Sequence, residues 1–186
     1  MRGLLCTFIL HSEKNLIQRG RTAGKGYFMF QVGDCIAHPM HGAGVIDGIE
    51  ERRINGVTRQ YYMFKLPVGG MTVMIPVDHC DEVGVRPIID EQQADEVLEQ
   101  PTNIEVDVTQ NWNRRYRENM LRIKSGDLLE VARVIKCLMQ RDSEKGLSTG
   151  DRKMLRSAKQ ILISELVLSK NSSYEEVEEE VNTALA

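Results

Sequence analysis

The sequence predicts an α+β protein of two domains, a small five-stranded β-barrel of Tudor or SH3 type followed by a compact α-helical bundle. Three observations carry this. Between Phe30 and Pro87, short β-rich runs alternate with turn signals, and Asn55-Gly56 fits a type I′ hairpin turn, which needs positive φ at both central residues. From Asp90 onward the hydrophobic period changes from two to that of a helix. Charge is also segregated: residues 1–28 carry +4, 29–100 carry −7, 101–170 carry +5 and 171–186 carry −5, for a net −3. A basic block between acidic ones directs one part of the chain, not the whole of it, at a polyanion.

Residues 1–28 do not share the pattern. Leu4, Leu5, Phe8, Ile9 and Leu10 form an apolar run, but only Arg2 precedes it and no small-residue cleavage signal follows, which argues against a signal peptide. Met29 opens directly onto patterned sequence, so the reading is a start at Met29 and a disordered or spurious extension before it. No apolar run approaches the roughly 18 residues of a membrane span, so no membrane is expected. Cys6, Cys35, Cys80 and Cys137 show no paired spacing, which fits a reducing cytoplasm.

The β domain is expected over 29–88. Its strands read as Asp34–His38, Gly44–Glu51, Gln60–Leu66, Met71–Pro76 and Glu82–Arg86, with turns at Pro39–Gly42, Asn55-Gly56, Gly69-Gly70 and Asp78–Asp81. Tyr62, Phe64 and Leu66 alternate with Tyr61, Met63 and Lys65, the period of a half-buried strand.

The helical domain is expected over 89–170. Asp90 with Gln93 forms a capping box for a short helix ending at Pro101. After a polar connection over 102–108, Thr109 is placed as the N-cap of a helix carrying Trp112 in its first turn and running to Lys124. Ser125-Gly126 breaks it. Leu128, Val131, Ala132, Ile135, Leu138 and Met139 then form one apolar stripe. Ser148 and Asp151 form a second capping box. Behind it Leu155, Ala158, Ile161, Leu162 and Leu166 form another stripe, broken only by Glu165. The short loop Asp142–Gly150 predicts an antiparallel hairpin of these two helices. Residues 171–186 are an acidic tail or a short helix.

Candidate chemistry is confined to one place. Cys35, His38, His41, His79 and Cys80 are the tempting metal set, but their spacing is not that of a zinc site, and a strand sets Cys35 and His38 on opposite faces. Neither a metal nor a cofactor is expected. Gly42-Ala43-Gly44 leads into a strand and offers no helix N-terminus to a phosphate. With no nucleophile–base set or catalytic acid pair, an enzyme with a small-molecule substrate is the least favoured class. Trp112, the sole tryptophan, is followed within five residues by Arg114, Arg115 and Arg117; Arg152, Lys153 and Arg156 follow the Ser148 cap. An apolar wedge among fixed cations suits a nucleic-acid backbone beside a partly unstacked base step. Taken alone, these residues favour a core tryptophan with solvated arginines, because tryptophan is mostly buried on average.

Several motifs in order extend the reading: Phe30-Gln31-Val32-Gly33-Asp34, His38-Pro39-Met40-His41-Gly42, Thr72-Val73-Met74-Ile75-Pro76, Asn111-Trp112-Asn113-Arg114-Arg115-Tyr116, Gly146-Leu147-Ser148 and Gln160-Ile161-Leu162. Through them the chain resembles the CarD/CdnL-like bacterial transcription regulators, whose N-terminal module is similar to the polymerase-interacting domain of transcription-repair coupling factors. The resemblance covers 29–168, about three-quarters of the chain. It implies a Tudor-like domain that docks on the RNA polymerase β subunit. It also implies a helical domain that contacts promoter DNA at the upstream edge of the bubble and stabilises the open complex. Trp112 then falls at the minor-groove wedge, and Arg117 and Arg152 at DNA contacts, with Arg114, Arg115 and Lys153 as neighbours; Arg156 completes the basic set. Arg52 and Ile54 on the hairpin and Met74 on the facing strand fall at polymerase contacts, with Met74 standing where some members carry arginine. The implied location is the cytoplasm, at the nucleoid through polymerase. The rival expectations are a polymerase-docking adaptor or decoy whose helical domain binds another protein, and an independent DNA-binding repressor.

Overall fold

The computed structural model describes residues 30–67, 70–99 and 111–185. Four strands open the chain: β1 (Cys35–His38), β2 (Gly42–Ile54), β3 (Val57–Lys65) and β4 (Thr72–Pro76). A 3₁₀ turn over Val77–His79 leads into α1 (Cys80–Val83) and the two-residue β5 (Arg86–Pro87). All pairs are antiparallel, in the order β4-β3-β2-β1-β5. Asn55 (φ 51°) and Gly56 (φ 82°) make the expected hairpin turn.

Two expectations need correction. The five strands form an open sheet, not a closed barrel: among the described residues the edges β4 and β5 do not pair, and β5 is too short to close a ring. The run Glu82–Arg86 is not a strand either. Asp78 to Val83 turn helically, and Gly84 ends the turn with φ 82°, leaving only Arg86 and Pro87 to pair with β1.

Register assigns the sheet faces. Tyr62 pairs with Ile75 and Phe64 with Val73, and this face buries Tyr62, Phe64 and Ile75 with Ile36, Ile46 and Phe30. The Tyr62 hydroxyl accepts the Phe30 N–H at 3.1 Å. A bulge between Ile46 and Gly48 shifts the register, so Gly48 pairs with Met63, Arg52 with Arg59 and Ile54 with Val57 on the opposite face.

The bundle contains α2 (Glu91–Glu99), α3 (Trp112–Lys124), α4 (Leu128–Lys145), α5 (Thr149–Lys170) and α6 (Tyr174–Leu185). The Asp90/Gln93 box forms in both directions, at 2.8 and 3.2 Å. The N-cap of α3 is Asn111, whose side chain accepts the Asn113 N–H at 2.9 Å; Thr109 lies outside the described residues, as do Pro101 and the extension 1–28. Val131, Ile135 and Leu138 of α4 face Ala158, Ile161, Leu162 and Leu166 of α5 in one core. Val177, Val181 and Leu185 of α6 join it, so residues 174–185 pack as part of the bundle. Glu165, the polar break in the α5 stripe, is buried at 1% exposure and ion-paired with Arg86 of β5. Next to that pair the start of β2 packs on α5, where Ser164 accepts the Ala43 N–H.

Candidate nucleic-acid interface

Trp112 is the first residue of α3, where the Asn111 cap fixes the backbone but the first turn overhangs the core. Its side chain keeps 42% of its surface exposed, too much for a core anchor. The indole is not loose. It lies against Tyr116 one turn on, with ring centroids 5.2 Å apart and planes 31° apart. Gly150 in the first turn of α5 is also against it, so close that a Cβ there would stand 3.0 Å from Trp112 Cζ2. A glycine at that position lets the indole rest on backbone.

The N-terminus of α5 is held against α3 by a buried ion pair. Ser148 caps the helix, accepting the Asp151 N–H at 3.1 Å, and its hydroxyl donates to Asp151 Oδ2 at 2.9 Å. The same oxygen accepts Arg115 Nη2 at 3.3 Å, with Arg115 at 7% and Asp151 at 2% exposure. The Ser148/Asp151 pair is therefore one-sided as a capping box, because the carboxylate turns to Arg115 instead of to the Ser148 backbone. It also corrects the reading of Arg115 as a surface cation for DNA. Arg115, Asn119 and Ile123 recur every fourth residue on the core face of α3, so the guanidinium is committed inward.

The other basic candidates stay outside. Arg114 and Arg117 are exposed; Arg114 bonds Glu118 at 2.8 Å, and Arg117 donates to the Asn113 carbonyl at 3.3 Å. Arg152, Lys153 and Arg156 are exposed on the first two turns of α5, and none of the three forms an ion pair among the described residues. The arrangement combines an immobilised apolar plate, a helix N-terminus and cations on two helices. Chemically it suits a phosphate backbone with an opened base step.

Arg52, Ile54 and Met74 share one face of the sheet without adjoining. Register sets all three on the face opposite Tyr62 and Phe64, and all are exposed; Ile54 pairs with Val57 and Arg52 with Arg59 near the hairpin turn, whereas Met74 pairs with Met63 farther along β3. Arg52 pairs with Glu50 on the same strand. The histidine and cysteine candidates do not converge. Among the described residues no three His, Cys, Asp or Glu side chains stand where they could share a metal ion. His79 is bonded to Glu82 at 2.7 Å, and burial, with Asp81 and Asp78 nearby, pushes the Cys80 thiol up to about 11. The His38 and His41 rings lie 4.5 Å apart, tilted by 50°, and His38 Nδ1 accepts the Met40 N–H at 3.0 Å.

Sequence reasoning missed Gly150 and Tyr116. Tyr116 was detectable, since it stands four residues after Trp112 and so on the same side of a helix. Gly150 carried no such signal, because its neighbour is 38 positions away along the chain.

Two family models match the chain: the CarD-like/TRCF RID domain over residues 30–89 and the CarD C-terminal domain over residues 93–182. YdeB of Bacillus subtilis strain 168, named as a candidate transcription factor, is 37% identical over 149 residues, which are 80% of this chain and 97% of YdeB. No helix among the described residues is long and apolar enough to cross a membrane.

Proposed function

We propose, because the chain belongs to the CarD-like transcription-factor family, that it regulates transcription by docking on RNA polymerase and stabilising the open promoter complex. In this reading the β module docks on the polymerase β subunit through the face carrying Arg52, Ile54 and Met74. The bundle then presents Trp112 to the minor groove at the upstream bubble edge, with Arg114, Arg117, Arg152, Lys153 and Arg156 near the flanking phosphates. The observation that carries the reading is the seat of Trp112: an indole packed against Tyr116 and Gly150 yet open to solvent near exposed cations.

Magnitudes favour a tethered mechanism. Neutralising a handful of phosphates gives non-specific affinities of about 10⁻⁴–10⁻⁶ M at physiological salt. That is too weak for a protein acting alone. A docked protein instead meets DNA at an effective concentration on the order of millimolar, enough to fill such a site. Wedging an indole into a base step costs a few kcal/mol, and less where the duplex is already open. The wedge therefore favours the melted junction over intact duplex and shifts the closed–open equilibrium without making or breaking a bond.

The test is the lifetime of open complexes formed by purified polymerase on a ribosomal-RNA-type promoter, with wild-type protein or Trp112→Ala. The expected result is a longer lifetime with the wild type, lost in the variant while polymerase binding persists. Equal lifetimes with both proteins, each bound to polymerase, would refute the wedge and favour an adaptor whose bundle binds another protein. Tight binding to duplex without polymerase would instead favour an independent DNA-binding repressor.

A further inference from the structure

The turn His38-Pro39-Met40-His41-Gly42 and the segment Gln160-Ile161-Leu162 belong to neither the Trp112 surface nor the Arg52 face. In the fold they meet. Gly42, at φ 83°, is so close to α5 that a Cβ would stand 2.2 Å from Ser164 Oγ and 3.1 Å from Ile161 Cα. Ser164, itself buried, accepts the N–H of Ala43 at 2.8 Å and donates to the Ile161 carbonyl. One residue on, Glu165 takes Arg86 of β5 in a two-pronged pair, with the second contact at 3.0 Å, and accepts the Ile89 N–H at 3.1 Å. Arg86 reaches past it to the Gly126 carbonyl at 2.9 Å, at the break between α3 and α4. Ser169 closes the set by donating to the Ile89 carbonyl at 2.8 Å.

This is a dense polar contact for two modules in one chain, and its directions matter. Arg86 ties β5, α5 and the α3–α4 turn to one another, while Ser164 ties β2 to α5. On the same helix, Gly150 and Asp151 hold Trp112 and Arg115. Fourteen residues of α-helix separate Gly150 from Ser164, about 21 Å of rigid rod.

We infer that Arg86, Ser164 and Glu165 are positioning residues: they clamp the β module to α5, so that the sheet face and the Trp112 seat move as one body with a fixed separation. This rests on the polymerase-and-promoter reading for its consequence, but the clamp itself is a property of the free protein. A flexible joint would keep both surfaces and their individual affinities while spreading the wedge over many positions. Fixing the joint concentrates it at one.

The test uses the full chain with Arg86→Gln, Ser164→Ala and Glu165→Gln combined. Removing both charges together avoids stranding either in the interior, so the variant is expected to fold. Folding is checked by circular dichroism and by the dispersion of its amide NMR spectrum. Backbone ¹⁵N relaxation then gives the rotational correlation time of each module. The wild type should tumble with one correlation time, and the variant with two, shorter ones. In the polymerase assay the variant should bind polymerase within about twofold of wild type, yet the open-complex lifetime should fall about tenfold towards that of Trp112→Ala.

Unequal tumbling in the wild type, or a single correlation time in the folded variant, would overturn the clamp. Separate tumbling with a wild-type lifetime would overturn the positioning role while leaving the clamp. If wild-type protein does not alter the lifetime at all, the promoter reading fails and takes the positioning role with it, while the correlation times still decide the clamp. A variant that fails to fold is replaced by Arg86→Gln with Glu165→Gln, which removes the two-pronged pair, judged by the same two measurements.

Discussion

Replacing Asp151 with alanine would leave the Arg115 guanidinium buried without its carboxylate, only 7% exposed and facing a core of α3 and α4. Truncating one partner of such a pair costs about 3–5 kcal/mol, because the remaining charge has no water to return to. Losing a carboxylate from the first turn of α5 adds a few tenths of a kcal/mol through the helix dipole. Against a total stability of about 5–15 kcal/mol for a domain of ordinary size, the change removes roughly a fifth or more. The assay is urea unfolding followed by Trp112 emission. Trp112 is the only tryptophan and rests on Gly150, next to Asp151, so the probe reports the seat itself. Asp151→Asn, which keeps an acceptor for Ser148 and Arg115, should lose about half as much. The double variant Arg115→Met with Asp151→Leu should recover most of the stability, with a coupling of about 2–3 kcal/mol between the sites. A cost below about 1 kcal/mol for Asp151→Ala, or single losses that simply add, would refute the pair as the brace between α3 and α5.

Three further outcomes follow from the same geometry. Gly150→Ala adds a Cβ 3.0 Å from Trp112 Cζ2, so the indole must shift; the helix gains up to about 1 kcal/mol in propensity, and stability should stay near wild type. Trp112 emission and open-complex lifetime should both change, and if neither does, Gly150 is not the seat. Arg117→Gln and Arg152→Gln should leave the unfolding midpoint unchanged and each lower the salt slope of DNA affinity by about one. Arg115→Gln should do the reverse, costing stability and not slope. Burial, with His41 close by, holds His38 down at about 4 against an ordinary 6.5, so between those values the unfolded chain binds the proton and the folded chain does not. This contribution to stability is complete above about pH 6.5 and is lost as pH falls towards 4. His38→Asn, which can still accept the Met40 N–H, should flatten the fall in urea midpoint across that window.

What the sequence made legible was local. The Asn55-Gly56 turn, the Asp90/Gln93 box and the alternation around Tyr62 and Phe64 are each decided within a few residues, and each stands in the structure. The errors arise where a distant segment decides. Arg114, Arg115 and Arg117 look equivalent in order along the chain, yet only Arg115 shares the four-residue repeat with Ile123, and only α5 supplies the carboxylate that makes its burial tolerable. Glu165 was visible as an anomaly in an apolar stripe. Its partner Arg86 is 79 positions away, in a run misread as a full strand, so the anomaly could be seen but not explained. The Trp112 seat divides in the same way: Tyr116 follows from helical spacing, whereas Gly150 needs the packing of α3 on α5.

The distribution of charge along α5 gives the segregated sequence a structural meaning. Arg152, Lys153 and Arg156 stand at its N-terminal end beside Trp112, where the helix dipole adds positive character. The acidic α6 crosses the C-terminal half, where Lys159 and Lys170 are bonded to Asn182 and Glu180 at 2.6 Å each. Glu175, Glu176 and Glu179 remain exposed there. Cations that would otherwise extend the basic surface along α5 are thereby covered, and its exposed basic side chains stand at its N-terminal end. Screening limits such a field to about 8 Å at physiological salt, too short to gather DNA from solution. It is long enough to orient a helix already brought to the duplex. The exposed glutamates of α6 repel a phosphate backbone, so neutralising them should increase non-specific binding to duplex without lengthening the open-complex lifetime. The basic block alone would make a weak DNA coat; set against α6 and held to the β module, the cations of α5 are presented in one direction.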